Sequence, residues 1–148
     1  MTCTTDGRGR VYVQMKDRLL HVPTPAQIFF DPTSKYLIEK KNTEGHKHLS
    51  IFRYEDFRRE RASQYRAVTR TVEGLEIRIS GGKVRSIEIP QSSYGHLGNP
   101  ETVVLDGIRD KILEVWAPEE LDTYEKEHIR ELPKLMEVLL ELGDQPTL

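Results

Sequence analysis

Residues 67–89, AVTRTVEGLEIRISGGKVRSIEI, carry the clearest structural pattern in the chain. Three runs rich in β-branched residues are separated by Glu73-Gly74 and by Gly81-Gly82. Both dipeptides are typical of tight two-residue turns between antiparallel strands. The segment therefore predicts an antiparallel β-meander, and the rest of the fold is expected to be arranged around it.

The segments before the meander also have the composition of strands. KYLIEKK (35–41) and HKHLSIFRY (46–54) flank a short polar stretch that ends in Gly45, a residue free to adopt positive φ, which predicts a hairpin. RVYVQM (10–15) and RLLHV (18–22) predict another hairpin around Lys16-Asp17. AQIFF (26–30), which lies between prolines, is expected to be a further strand.

Helical patterns dominate after the Gly-, Ser- and Pro-rich segment 90–100, which is expected to be a loop. Asp106 can cap a helix over GIRDKILEVW (107–116), and Pro118 suits the first turn of the next one. A last helix is expected over 133–143. The predicted fold is one α+β domain over 1–148: an antiparallel β-meander and hairpin sheet with one inserted helix and a C-terminal helical segment.

Composition limits the class of protein. The 148 residues include 36% hydrophobic and 31% charged residues, which is typical of a polar globular domain and not of a disordered chain. Apolar runs reach only three or four residues, whereas a transmembrane helix needs about 20. The single cysteine, Cys3, excludes an internal disulfide. We therefore expect a cytoplasmic protein without a membrane partner.

Charge is distributed unevenly along the chain. Residues 1–100 contain 17 Lys and Arg against 11 Asp and Glu, whereas residues 101–148 contain 5 against 13. The first part therefore carries a balance of +6 and the second a balance of −8. Such asymmetry predicts two surfaces that suit different partners.

An arginine-rich segment supplies the first candidate surface. FRYEDFRRERASQYRAVTR (52–70) contains six arginines and predicts a helix from about Glu55. Glu55 and Arg59 are suitably spaced for an i,i+4 ion pair, whereas the later arginines have no acid one turn earlier. Either the polar face is merely solvated, or it binds anions such as nucleic-acid phosphates. The candidate nucleic-acid or anion-binding residues are Arg59, Arg66, Arg70, Arg78, Lys83 and Arg85.

The predicted last helix supplies the second candidate surface. Its apolar residues cover well over half of its circumference, so it must be buried on more than one side. Packing within the same chain and contact with a partner protein both explain this pattern. The candidate partner-binding residues are Met136, Leu139 and Leu140.

Motifs for catalysis or cofactor binding are weak. His46-x-His48 has a spacing compatible with metal binding on a strand, and SSYGHLG (92–98) places serines near a histidine. Glu76 and Glu88 are the nearest approach to the carboxylates of a metal-dependent nuclease. DGRGR (6–10) is followed by a strand and not by a helix, unlike a phosphate-binding loop. We therefore predict no catalytic residues, no metal and no cofactor.

These observations favour a small non-enzymatic binding or regulatory protein. It would attach to a larger nucleoprotein assembly, such as transcription, translation or nucleic-acid-defence machinery, through a protein partner and weak, sequence-independent nucleic-acid contact. By association alone, it resembles the compact modulators that phages and mobile elements use. Two alternatives remain open at this stage: a metal-dependent nuclease or other phosphodiester hydrolase, and a structural subunit of a self-assembling complex.

Overall fold

A closed antiparallel β-barrel forms the body of the protein. The structure, a computed structural model, describes residues 1–13, 24–60, 72–108 and 111–128. The strands in these residues are β1 (Thr2–Thr5), β2 (Arg10–Tyr12), β3 (Tyr36–Thr43), β4 (His46–Arg53), β5 (Val72–Ser80), β6 (Lys83–Glu88), β7 (Thr102–Ile108) and β8 (Ile112–Trp116). Their order around the barrel is β1-β2-β6-β5-β3-β4-β8-β7, and β1 pairs with β7 to close it. The predicted α+β fold, a β-meander and hairpin sheet with one inserted helix and a C-terminal helical segment, is therefore wrong.

Four helical segments accompany the barrel within the described ranges. They are α1 (Pro25–Phe29), α2 (Tyr54–Glu60), α3 (Gln91–His96) and α4 (118–128). In the parts of the chain that the structure describes, none of the helices combines the length and the apolar character needed to cross a lipid bilayer.

The core fills the barrel interior because apolar residues alternate with polar ones along the strands. Leu49 and Ile51 of β4 and Leu113 and Val115 of β8 are fully buried. Strands β4 and β8 are paired, with Leu49 opposite Val115 and Ile51 opposite Leu113, so these residues form neighbouring layers of the same core.

One helix closes each end of the barrel. At the start of β3, the rings of Phe29 and Phe30 pack on Tyr36 with centroid distances of 5.7 and 4.6 Å. Near the other end of β3, His96 of α3 bonds to the carbonyl oxygen of Lys41. Because β3 runs from one end to the other, α1 and α3 cover opposite mouths of the barrel, and both contribute buried side chains to its core.

Two hairpins predicted from the sequence are confirmed. Strands β3 and β4 are joined at Glu44-Gly45, both of which have positive φ (54° and 85°), as a two-residue hairpin turn of the primed type requires. Strands β5 and β6 are joined at Gly81-Gly82, with φ values of 60° and 73°. The local turn chemistry was sufficient in both cases.

Two strand predictions are wrong. Glu73-Gly74 lies inside β5 and makes no turn, since Gly74 pairs with Leu37 of β3. The segment AQIFF belongs mostly to helix α1. Thr24 and Gln27 form a capping box there, each side chain bonding to the other residue's backbone N–H at 3.3 Å, while Pro25 occupies the first turn.

The helix predicted after Asp106 is also wrong. Asp106 lies inside β7, and the sequence that follows returns as β8. Buried Leu113 and Val115 alternate with residues on the outer face, which is a strand pattern. Conversely, the loop predicted at 90–100 contains α3. The helix predicted from Pro118 is confirmed through residue 128, whereas the predictions for 18–22 and 133–143 fall outside the described residues.

Candidate functional site

Helix α2 begins where strand β4 ends and carries part of the arginine-rich segment. The backbone N–H of Tyr54 donates to the carbonyl oxygen of Lys35 at 2.9 Å, which ties the helix start to the loop before β3. Phe57 is buried and stacks on Phe52 at a centroid distance of 5.4 Å. With Phe57 facing the barrel, Arg58 and Arg59 are exposed.

The loop between α1 and β3 lies beside α2 and is held by hydrogen bonds of its own. One carboxylate oxygen of Asp31 accepts hydrogen bonds from the backbone N–H and the hydroxyl of Thr33, at 2.9 and 2.8 Å. The backbone N–H of Ser34 donates to the Asp31 carbonyl oxygen at 3.1 Å. The bonds from Thr33 lower the pKa of Asp31, so this turn is held by an ionised carboxylate.

Together the loop and α2 form a groove of about 590 Å³, called here the basic groove. Among the side chains described in 1–13, 24–59, 72–108 and 111–128, no carboxylate forms an ion pair with Lys35, Arg58 or Arg59. Of the described residues in the lining, Glu55 alone is acidic. The lining residues are Thr33, Ser34, Lys35, Tyr54, Glu55, Arg58 and Arg59.

The ion pair expected between Glu55 and Arg59 is not formed. Both side chains are exposed, and the ion pair of this turn joins Arg53 to Asp56 at 3.4 Å. An exposed i,i+4 pair stabilises a helix by only about 0.3–0.5 kcal/mol, so water competes with it easily. Arg59 is therefore available to an external anion.

Arg78, another predicted anion-binding residue, belongs to an ion-paired network on the outer face of the barrel. Glu88 of β6 accepts from Nε and Nη2 of Arg10 at 3.0 and 2.7 Å, and Arg78 Nη2 lies 3.2 Å from the same oxygen. The bond from Arg10 is the main cause that lowers the pKa of Glu88. Arg78 thus has an internal partner, although its side chain stays 63% exposed.

Lys83 and Arg85 are exposed on β6, close to the Gly81-Gly82 turn. Arg78 pairs with Ser86 and Ile79 with Val84, so Arg85 is the extra residue of a β-bulge. No described contact joins these side chains to Arg59. Arg66, Arg70, Met136, Leu139 and Leu140 fall outside the described residues, and their assignments stay predictions.

The serine and histidine side chains of SSYGHLG do not form a nucleophile–base pair. Both Ser92 and Ser93 donate to the carboxylate of Glu73, with a Ser93 distance of 2.6 Å, and these bonds lower the pKa of Glu73. His96 Nε2 instead lies 2.7 Å from the Lys41 carbonyl oxygen, to which it must donate. These hydrogen bonds hold α3 against β5 and β3.

His46 and His48 point to the same side of β4, as their spacing predicts, but each contacts carboxylates. His46 Nδ1 lies 3.0 Å from Glu120 and Nε2 lies 2.7 Å from Glu127, both on α4. His48 Nε2 lies 2.9 Å from Glu114, and its ring stacks on Trp116. The His46 contacts attach α4 to the outer face of the barrel, whereas the His48 contacts join β4 to β8.

The His46 contacts predict a pH-dependent attachment of α4. Hydrogen bonds to Glu127 and Glu120 raise the pKa of His46, since they stabilise the imidazolium with both N–H groups donating. A raised folded-state pKa stabilises the fold fully below the unfolded value of about 6.5, and this contribution is lost as the pH rises through the folded pKa.

We therefore expect the difference in Tm between the native protein and His46→Gln to be largest near pH 6 and to shrink toward pH 9. Thermal unfolding followed by circular dichroism at fixed ionic strength measures this. His128→Gln is the matched control, because the more exposed His128 lies 3.8 Å from Glu44 and should give a smaller change. A Tm difference for His46→Gln that is constant with pH would contradict the assignment.

The carboxylates suggested for a metal-dependent nuclease are not arranged as a ligand set. Glu88 is held by two arginines, and Glu76 lies directly opposite it on β5. Within the described ranges, His, Cys, Asp and Glu side chains form no group of three or more that could hold a metal ion. The outer face of β5 and β6 is thus an ion-pair network.

Sequence reasoning missed most of the lining of the basic groove. Lys35 and the hydroxyls of Thr33 and Ser34 lie some 20 residues before α2, and no local pattern connects them to the arginines. A useful signal was the Asp-Pro-Thr-Ser stretch at 31–34, which favours a turn held by the Asp31 side chain. Sequence reasoning also missed Arg58 as an anion-binding candidate, although it lines the groove next to Arg59.

Comparison with protein-family models and with curated proteins finds no match for this chain.

Proposed function

We propose that this protein is a non-enzymatic binding module that contacts nucleic-acid phosphates through the basic groove. The observation that carries the proposal is the convergence of Lys35, Arg58 and Arg59, which lack carboxylate partners among the described residues, on one groove. Through this contact and a protein partner, it would act as a small cytoplasmic regulator or adaptor of a larger nucleoprotein assembly.

The groove has the donors that a phosphate ester needs. A guanidinium offers paired N–H donors to phosphate oxygens, and an ammonium offers a mobile positive charge. Such contacts position a nucleic acid without reading its sequence. We therefore expect weak, sequence-independent binding that depends strongly on salt concentration.

The protein-partner half of the proposal rests on the separation of charge along β4. The basic groove adjoins the end of this strand at Arg53, whereas α4 packs at its start beside His46. Seven residue steps, or about 23 Å, separate these ends. The residues 119–127 of α4 contain five acidic residues and one lysine, and of these acids the exposed Glu119 and Glu125 contact neither His46 nor Lys126. A basic protein surface could dock there while the groove holds phosphate.

Salt dependence tests the phosphate contact. Each contact contributes roughly 0.7 to the slope of log K against log[salt] on single-stranded DNA, so three contacts predict a slope near −2. The double variant Arg58→Gln/Arg59→Gln should make this slope shallower by about 1.4 and weaken binding at about 50 mM salt. Fluorescence anisotropy of a labelled 12-nucleotide strand measures both quantities.

The matched control removes two positive charges at a site distant from the basic groove. Lys47→Gln/Lys126→Gln changes two exposed lysines at the α4 end of the barrel, and this variant should retain the native slope. Equal losses in the two double variants would show that binding depends only on net charge. That result, or the absence of any binding at about 50 mM salt, would overturn the proposed function.

A further inference from the structure

A second cleft adjoins the basic groove and differs from it in chemistry. This apolar cleft has a volume of about 430 Å³, which is within the usual range for small-ligand sites. Ser34, Lys35 and Tyr54 line both spaces, so the two spaces lie side by side. The apolar side chains that line it are Leu37, Leu75, Ile77 and Ile79.

The apolar cleft exists because β5 is longer than its pairing with β3. Strand β5 runs over Val72–Ser80, but its register with β3 covers only Val72 to Leu75, opposite Glu39 to Tyr36. Beyond this point β5 continues beside β6, and the chain before β3 turns away through the loop at 31–35. A seam opens there, and Ile79 is 37% exposed in it.

The charges of the two spaces would orient a bound ligand. Among the described residues that line it, the apolar cleft has two exposed acids at its edge, Asp31 and Glu76, and one cation, Lys35, which it shares with the basic groove. The basic groove adds Arg58 and Arg59. A phosphate is therefore attracted to the basic groove and repelled from the apolar cleft, where carboxylates favour N–H donors instead.

We infer that the two spaces together bind one nucleotide unit of a single-stranded nucleic acid, with its phosphate in the basic groove and its base in the apolar cleft. The inference rests on the proposed function and narrows it to single strands. A base is flat and apolar on its faces, and the amino group of cytosine matches the carboxylates at the cleft edge. In a duplex the bases are stacked and paired, so none can enter the cleft.

The experiment separates the base contribution from the phosphate contribution. A 12-nucleotide oligocytidylate, an abasic strand of the same length and a blunt duplex are compared by fluorescence anisotropy at about 50 mM salt. Stacking and contact of one base is worth roughly tenfold in affinity, so the oligocytidylate should bind about tenfold more tightly than the abasic strand. It should also bind more tightly than the duplex.

Blocking the cleft provides the matched variant. Gly74 lines the apolar cleft, has an ordinary strand conformation, and has open space where a Cβ would lie. Gly74→Val should abolish the tenfold difference while leaving the affinity for the abasic strand unchanged. Ile79→Ser is a second variant that removes apolar contact without filling the cleft, and it should reduce the difference. Gly95→Ala is the control, because an added Cβ on α3 would lie in open space, and this variant should retain the tenfold difference.

The outcomes distinguish the two proposals. Equal affinity for the intact strand, the abasic strand and the duplex, with a continued dependence on Arg58 and Arg59, would overturn the nucleotide site and leave the phosphate-binding function intact. A tenfold preference that survives Gly74→Val and Ile79→Ser would place the base elsewhere and also overturn the site. If the double variant Arg58→Gln/Arg59→Gln bound every strand as tightly as the native protein does, both the nucleotide site and the phosphate-binding function would be overturned.

Discussion

Replacing Gly9 with alanine is expected to destabilise the barrel by at least about 3 kcal/mol or to prevent folding. Gly9 is buried, has a φ of 115°, and accepts a hydrogen bond from the Ile89 backbone N–H at 2.8 Å. A Cβ at this position would collide with the carbonyl oxygen of Ile89. Because that oxygen belongs to the backbone, the clash can be relieved only by separating β2 from the end of β6.

Gly7→Ala is the matched control for Gly9→Ala. Gly7 also has a positive φ, of 74°, but no atom lies near the position of an added Cβ. Only the backbone strain remains, which costs roughly 1–2 kcal/mol. Urea unfolding at 25 °C compares the free energies of the two variants. Equal losses for Gly7→Ala and Gly9→Ala would show that the contact with Ile89 is not what requires glycine.

Replacing Tyr94 with alanine is expected to cost about 3–5 kcal/mol, the range for removing a large aromatic side chain from a core. Tyr94 is fully buried, and burial raises the pKa of its hydroxyl. The side chain extends from α3 into the core, where the hydroxyl contacts Thr5 Oγ1 at 2.6 Å and donates to the Pro100 carbonyl oxygen. Its loss would leave a cavity under the helix that closes this mouth of the barrel.

Tyr94→Phe separates packing from hydrogen bonding. It keeps the ring and removes the hydroxyl, so a loss of about 1 kcal/mol is expected, since Thr5 Oγ1 retains its own bond to the Pro100 carbonyl at 2.8 Å. Denaturant unfolding measures both variants. If Tyr94→Ala were as stable as Tyr94→Phe, the segment 91–98 would be a surface loop, as the sequence predicted, and not a plug of the core.

Predictions from the sequence succeeded where one short segment contains the whole physical cause. The turns at Glu44-Gly45 and Gly81-Gly82 need only residues that tolerate positive φ between strand-forming runs. The helix beginning at Pro118 needs only a favourable first turn and helix-forming residues. In each case the local conformational preference and the tertiary fold agree.

They failed where the same local pattern fits two structures. In 107–116, apolar residues at Ile108, Ile112 and Val115 have helical spacing, yet Leu113 and Val115 also alternate as in a strand. Pairing decides between these options, because β8 gains hydrogen-bonded neighbours on both sides, in β4 and β7. At 25–29 a predicted strand is instead a helix, because the capping box of Thr24 and Gln27 stabilises a helix start there despite the strand-like apolar run.

The sequence by itself therefore determined local features. These are the two hairpins, the start of α4, the uneven distribution of charge, and the exposure of Arg59 on a helix whose apolar side must face inward. The closure of the barrel could not be predicted from the sequence. Strands β1 and β7 are about 100 residues apart, and their edges are joined only when all other strands are in register. The basic groove has the same origin. Lys35 and Arg58 meet because the β3–β4 hairpin returns the chain to its starting point, which is a property of tertiary structure and of no single segment.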